Sequence, residues 1–134
     1  LTTLTANPPA VTPVGVSGLP NPEVETGDTA ASGTSDVYAV FYVETDPTYD
    51  AQTVEIDSAQ LLARCAQGIS WTSNQGTSTA ATATAGLDGD GNAVFVFIGG
   101  SCASGASQVT ADVLAGTKPT YTTSYTIQPP TSNS

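Results

Sequence analysis

Three oxygen-bearing side chains at alternate positions, Asp88, Asp90 and Asn92, are the residues of this sequence best spaced to converge on a hard cation. In a twelve-residue calcium loop the first, third and fifth positions supply such ligands, a glycine at the sixth makes the sharp bend, and a glutamate at the twelfth closes the shell. Here Ala93 stands at the sixth position and Gly99 at the twelfth, so the loop is incomplete. The same letters suit a turn whose glycines adopt positive φ. Calcium is therefore kept as a candidate ligand of Asp88, Asp90 and Asn92, with a structural turn as the simpler expectation. A second acidic group, Asp46, Asp50, Glu55 and Asp57, reads as solvated surface.

Catalytic chemistry is tested by subtraction. The sequence has no His, which removes Ser-His-Asp and Cys-His mechanisms. Glu25-Thr26-Gly27 is near the Asp-Thr-Gly of an aspartic protease, but it occurs once, with Glu for Asp, in a much shorter chain. Acids suited to glycoside cleavage abound, yet none sits in a recognisable context. The expectation is a protein that is not an enzyme and carries no resident cofactor. Lys118, the only lysine, could join an acid or amide covalently; directly before Pro119, it reads instead as an exposed charge in a turn.

Cys65 and Cys102 are the only cysteines. Two thiols without a histidine make a poor zinc site, and they lie in or beside separate predicted strands, so a disulfide is expected. Closing that loop stabilises a fold by roughly 3 to 4 kcal/mol in the chain-entropy model. Such a bond implies an oxidising compartment, hence a secreted or cell-surface location. Trp71, the only tryptophan, has two readings: a core ring near the disulfide, or an exposed platform for a sugar ring. It is kept as a candidate ligand-binding residue.

The charge balance narrows the partners. Two basic residues stand against 12 acidic ones, a net charge of -10, which is unsuited to nucleic acid or anionic lipid. No apolar run approaches the roughly 18 residues of a membrane span, so no membrane insertion by this segment is expected. Adjacent domains of the same chain and a cell-surface glycan or matrix protein remain as candidate partners.

The elements that must position these residues are strands. Residues 1–33 hold Pro8, Pro9, Pro13, Pro20 and Pro22 and read as a linker with a possible edge strand. Strands are predicted at 36–44, 52–57, 69–72, 107–114 and 120–127, each with alternating apolar residues bounded by turn signals. Ser58 to Arg64 could form one helical turn capped by Ser58, too short to be stable unaided. Residues 77–98 are expected to form a hairpin about the Asp88–Asn92 turn, closed by Gly99-Gly100. Tyr38, Val40 and Tyr42 share one face of the strand at 36–44. Tyr121, Tyr125 and Ile127 share one face of the last strand. Residues 129–134 read as an exit linker.

About seven or eight short strands without a long helix describe an all-β, immunoglobulin-like antiparallel sandwich over residues 34–128. The run Asp88-Gly89-Asp90-Gly91-Asn92-Ala93-Val94-Phe95-Val96-Phe97, followed by Gly105-Ala106-Ser107-Gln108-Val109-Thr110-Ala111-Asp112-Val113, resembles the carboxyl-terminal half of bacterial immunoglobulin-like repeats of the invasin and intimin type. The two cysteines and the proline-rich start depart from that pattern. The resemblance implies a spacer or adhesive module of a larger surface protein, often in tandem, and brings no catalytic residue. The alternative is a carbohydrate-binding module of a secreted polysaccharide-active protein.

Overall fold

The computed structural model describes residues 3–7, 24–26, 34–115 and 120–127. Two long strands form its spine: β3 (Thr34–Glu44) and β8 (Asn92–Ala103), paired antiparallel over most of their length. Each carries β-branched and aromatic residues in alternation, and each sends one set inward: Val37, Ala39, Phe41 and Val43 from β3, Ala93, Phe95 and Phe97 from β8. Around them lie β1 (Thr3–Asn7), β2 (Val24–Thr26), β4 (Thr53–Asp57), β5 (Ile69–Ser73), β6 (Gly76–Ser78), β7 (Thr82–Gly86), β9 (Gly105–Val113) and β10 (Thr120–Ile127). The larger sheet has the order β1-β3-β8-β5-β6, with β2 also on β3, and the smaller sheet the order β10-β9-β4-β7.

That order is the one an immunoglobulin sandwich requires, with β1, β3, β8 and β5 as one sheet and β4, β9 and β10 as the other. β7 extends the smaller sheet beyond β4. The ten strands among the described residues exceed the seven or eight expected because β1, β2 and β6 are short pieces that sequence patterning does not isolate. β1 and β2 both belong to residues 1–33 and both pair with β3. Residues 129–134 lie outside the described residues, as do Gly27, Lys118 and Pro119.

The core is an aromatic cluster between the sheets. Phe41 lies edge-on to Trp71, Phe97 and Tyr125 with ring centroids 5.5, 6.2 and 5.4 Å apart, and Trp71 lies 4.8 Å from Phe97. Val54, Ile56, Val109, Ala111 and Val113 complete it from the smaller sheet. Burying rings of this size supplies a large share of the apolar area that holds the sheets face to face.

The structure corrects the expected hairpin at residues 77–98. β7 pairs with β4, from Thr53 opposite Gly86 to Asp57 opposite Thr82, whereas β8 pairs with β3 and β5. The turn between them therefore carries the chain from one sheet to the other. Ala83, Ala85 and Leu87 on one side and Ala93, Phe95 and Phe97 on the other all face the core. Alternation tells which side chains point inward; it does not tell whether the next strand lies beside or opposite.

Gly99-Gly100 does not close a hairpin either, since β8 continues to Ala103. Gly99 sits between Val37 and Ile69, and a Cβ there would approach the sulfurs of Cys102 and Cys65 to 2.6 and 2.8 Å. The glycine makes room for the disulfide. The helix α1 (Ala59–Arg64) follows the expected capping: Leu61 N donates to Ser58 Oγ at 3.1 Å, and Ser58 Oγ donates to Gln108 O at 2.7 Å. Six residues cannot sustain a helix alone, and buried Leu61 and the bonds of Arg64 described below anchor it.

Candidate functional site

Asp88, Asp90 and Asn92 form a turn held by its own backbone. Asp88 Oδ1 accepts from Asp90 N and Asn92 N, both at 2.9 Å, while Gly91 N donates to Asp88 O and Asp88 N to Asn92 O, again at 2.9 Å. Gly91 has φ of 80°, and a Cβ on it would lie 2.4 Å from Asp46 O, so only glycine fits. The turn is also tied to the neighbouring connection, since Thr45 N donates to Gly91 O at 2.8 Å and the Thr45 hydroxyl donates to the same oxygen. The Asp88 carboxylate is aimed at amides of its own turn, the geometry of the structural turn that the same residues suit. Among the described residues no group of three or more His, Cys, Asp or Glu is placed to hold a metal.

Asp46, of the second acidic group, caps the 3₁₀ turn Pro47–Tyr49. Its Oδ1 accepts from Thr48 N at 2.9 Å, and the hydrogen bonds from Thr48, the backbone one foremost, hold its carboxyl below the usual carboxylate range. Glu55 and Asp57 lie on the outward side of β4, alternating with buried Val54 and Ile56.

Trp71 is corrected from candidate ligand residue to core residue. It is fully buried among Phe41, Phe95 and Phe97, so it presents no ring face to a sugar. Its indole N–H has no hydrogen-bond partner, and neither does the hydroxyl of Tyr125, on the other side of Phe41. Burial pushes the Tyr125 phenol up to about 12. Cys65 and Cys102 form a disulfide with an S–S distance of 2.05 Å, both residues buried, joining the end of α1 to β8.

Arg64 is a structural clamp beside this bond. Its Nε donates to Ser107 Oγ at 3.0 Å, its Nη2 to Ala106 O at 2.9 Å, and its Nη1 to Ser104 O. Gly105, with φ of 130°, lets the guanidinium approach, since a Cβ there would meet Nη1 at 2.5 Å. The cation thus satisfies the turn between β8 and β9.

The surface that remains chemically distinctive is the outward face of the larger sheet. Tyr38, Val40 and Tyr42 on β3 lie opposite Ile98, Val96 and Val94 on β8. Val94 is 37% exposed and Ile98 47%, Tyr38, Tyr42 and Val96 are half-buried, and Val40 at the centre is fully buried. Two shallow depressions flank Ile98, one floored by Tyr38 and Gly99 beside Asp36, the other by Ser70 and Thr79, with Gln67 and Gly100 shared between them. The sequence carried a signal for this face. The runs 37–43 and 93–98 are apolar at nearly every position, as in strands covered on both sides. Placing Tyr38, Val40 and Tyr42 on one face of their strand left the matching side of β8 unremarked.

No family model matches the chain, and no curated protein matches it. Among solved structures it is similar to a conjugative transposon lipoprotein from Bacteroides eggerthii DSM 20697, at 9% identity and a TM-score of 0.43, covering 95% of this chain and 96% of that one.

Proposed function

We propose that this chain is a non-catalytic, extracellular immunoglobulin-like module that acts as a spacer or adhesive domain of a larger bacterial surface protein. The observation that carries the reading is the course of the first and last described strands. β1 begins with Thr3 opposite Glu44, itself opposite Asn92, at one end of the sandwich. β10 finishes with Ile127 opposite Gly105, next to the end where Thr34 meets Ala103. The chain enters at one end and leaves at the other, a span of roughly 33 Å along the 11 residues of β3.

A module of this kind adds length between its neighbours and transmits tension along its strands. β1 and β10 run the same way and lie against each other from different sheets, so tension between their far ends shears the β1–β3 and the β9–β10 hydrogen bonds together. The buried Cys65–Cys102 bond stops the intervening loop from extending. Pulling a string of linked copies gives cooperative rupture steps that lengthen on reduction, by about 130 Å for the 37-residue separation. Gradual yielding at low force, with no such step, removes the spacer reading.

Adhesion is tested by binding to immobilised polysaccharides and matrix proteins, with calcium and with chelator. Since Trp71 is buried, Tyr38 and Tyr42 are the rings to substitute. Saturable binding to one glycan, lost on Tyr38→Ala and Tyr42→Ala with the fold intact, replaces the spacer with a carbohydrate-binding module.

A further inference from the structure

β7 ends the smaller sheet on one side, and its peptide groups alternate between that sheet and the edge. Ala81 O and both backbone groups of Leu87 bond to residues flanking β4. By alternation Ala83 and Ala85 serve the ladder with β4, and Thr82, Thr84 and Gly86 turn their peptide groups away from it. Such an outward row of amides and carbonyls is a template on which a strand of another chain can pair.

Here the row is filled by side chains. Ser78 Oγ donates to Thr82 O at 2.7 Å, and Ser73 Oγ to Thr84 O at 2.6 Å. The Asn74 amide takes Gly86 as a neighbouring strand would: Nδ2 donates to Gly86 O and Oδ1 accepts from Gly86 N, both at 2.9 Å. Gln75 Oε1 accepts from Thr84 Oγ1 at 2.7 Å. The outward carbonyls of Thr82, Thr84 and Gly86 are thereby all satisfied.

These side chains come from the hairpin β5–β6, which belongs to the other sheet. β5 pairs with β8 only from Ile69 to Thr72, so the tip from Ser73 to Gly76 extends past that ladder. Ser73 shares the inward side of β5 with Trp71, and Ser78 stands opposite Trp71, so both hydroxyls point between the sheets. Buried Trp71 holds the base of the hairpin in the core, while the serines reach the margin. Ser73 Oγ also accepts from Gln75 N at 3.1 Å, which fixes the tip. We propose that the β5–β6 hairpin is a latch that closes the edge of β7 against strand addition, and that without it β7 pairs with β7 of a second copy. The latch matters wherever copies are crowded together, and it does not depend on the spacer reading.

The test compares the unsubstituted chain with the triple substitution Ser73→Ala, Asn74→Ala and Ser78→Ala, by amide hydrogen exchange and sedimentation velocity. The Gly86 amide is protected in the unsubstituted chain, and the substitution speeds its exchange by roughly tenfold, the measure of one hydrogen bond. The amides of Ala83 and Ala85, facing β4, keep their protection. At equal concentration the substituted chain sediments as dimers or larger species in excess of the unsubstituted chain. Adding Thr84→Pro, which removes an outward amide and leaves the ladder to β4 intact, reverses that association. Sedimentation unchanged by the triple substitution overturns the proposal, as does a Gly86 amide that exchanges freely in the unsubstituted chain. Association that Thr84→Pro leaves in place belongs to another surface and overturns it too. If the triple variant does not fold, Asn74→Asp, which keeps the acceptor for Gly86 N and sets an anionic oxygen against Gly86 O, is read in the same way.

Discussion

The two sheets turn chemically similar faces inward and opposite ones outward. On the smaller sheet the outward positions are Thr53, Glu55 and Asp57 of β4, Gln108, Thr110 and Asp112 of β9, and Thr82 and Thr84 of β7, with Glu55 between Thr84 and Asp112. On the larger sheet the corresponding face is Tyr38, Val40 and Tyr42 against Ile98, Val96 and Val94. An antiparallel sheet with one solvated side alternates cleanly, and the smaller sheet does so. The larger sheet is apolar on both sides along its two central strands. The difference separates a face that ends at water from one suited to contact.

The largest effect concerns the bond that joins the crossover after β4 to β8. Removing it with Cys65→Ala and Cys102→Ala costs about 4 kcal/mol for a 37-residue separation, read as a lower urea midpoint. A midpoint unchanged by the double substitution means that packing alone holds the crossover.

The comparison itself is probed by one substitution made on each side. Val40→Lys places a charge at the enclosed centre of the larger sheet's outward ladder and costs about 2 to 3 kcal/mol. Thr110→Lys, half-buried beside Asp57 on the smaller sheet, changes stability by no more than about 0.5 kcal/mol. Equal costs in urea titrations break the distinction between the faces.

Tyr125 supplies a pH-dependent difference on the inner side of the smaller sheet. Its folded phenol titrates at about 12, above the ordinary value of 10.0, because burial disfavours the phenolate. The folded state therefore holds the proton more tightly than the unfolded chain. The resulting stability is present in full below pH 10 and is lost as the pH rises through 12, on the order of 2 kcal/mol. Tyr125→Phe removes this slope and is neutral or stabilising at pH 7, since the hydroxyl has no partner to lose. An unchanged slope in the variant, measured by urea unfolding between pH 9 and 12, assigns the loss to other groups.

Smallest in stability are Ile98→Lys and Val94→Lys, at about 0.5 kcal/mol or less, because both side chains already meet solvent. Their readout is the urea midpoint, which moves far less than in Val40→Lys and about as little as in Thr84→Lys on the other sheet.

Much of the strand set was legible because each segment carries its own period. The strand at 36–44 announced Val37, Ala39, Phe41 and Val43 as one face, and all four are core. Ser58 announced the cap of α1, and the helix is there because Leu61 and Arg64 find tertiary partners. The residues at Asp88 carry two readings for a physical reason: carboxylates two residues apart in a glycine-rich turn can bond their own backbone as readily as an ion. Only the positions of the surrounding amides distinguish the two.

The sequence by itself determined which residues share a face of each strand, which cysteines could pair, and which catalytic arrangements the missing histidines exclude, because these follow from residue chemistry and a period of two along one strand. Tertiary structure alone decided that β7 joins β4 rather than β8, that Trp71 closes in the core, and that Tyr38, Val40 and Tyr42 meet a second apolar row. Those outcomes depend on which strands lie beside one another across long stretches of chain, and a local pattern is the same for a neighbour in the sheet and a neighbour across the core.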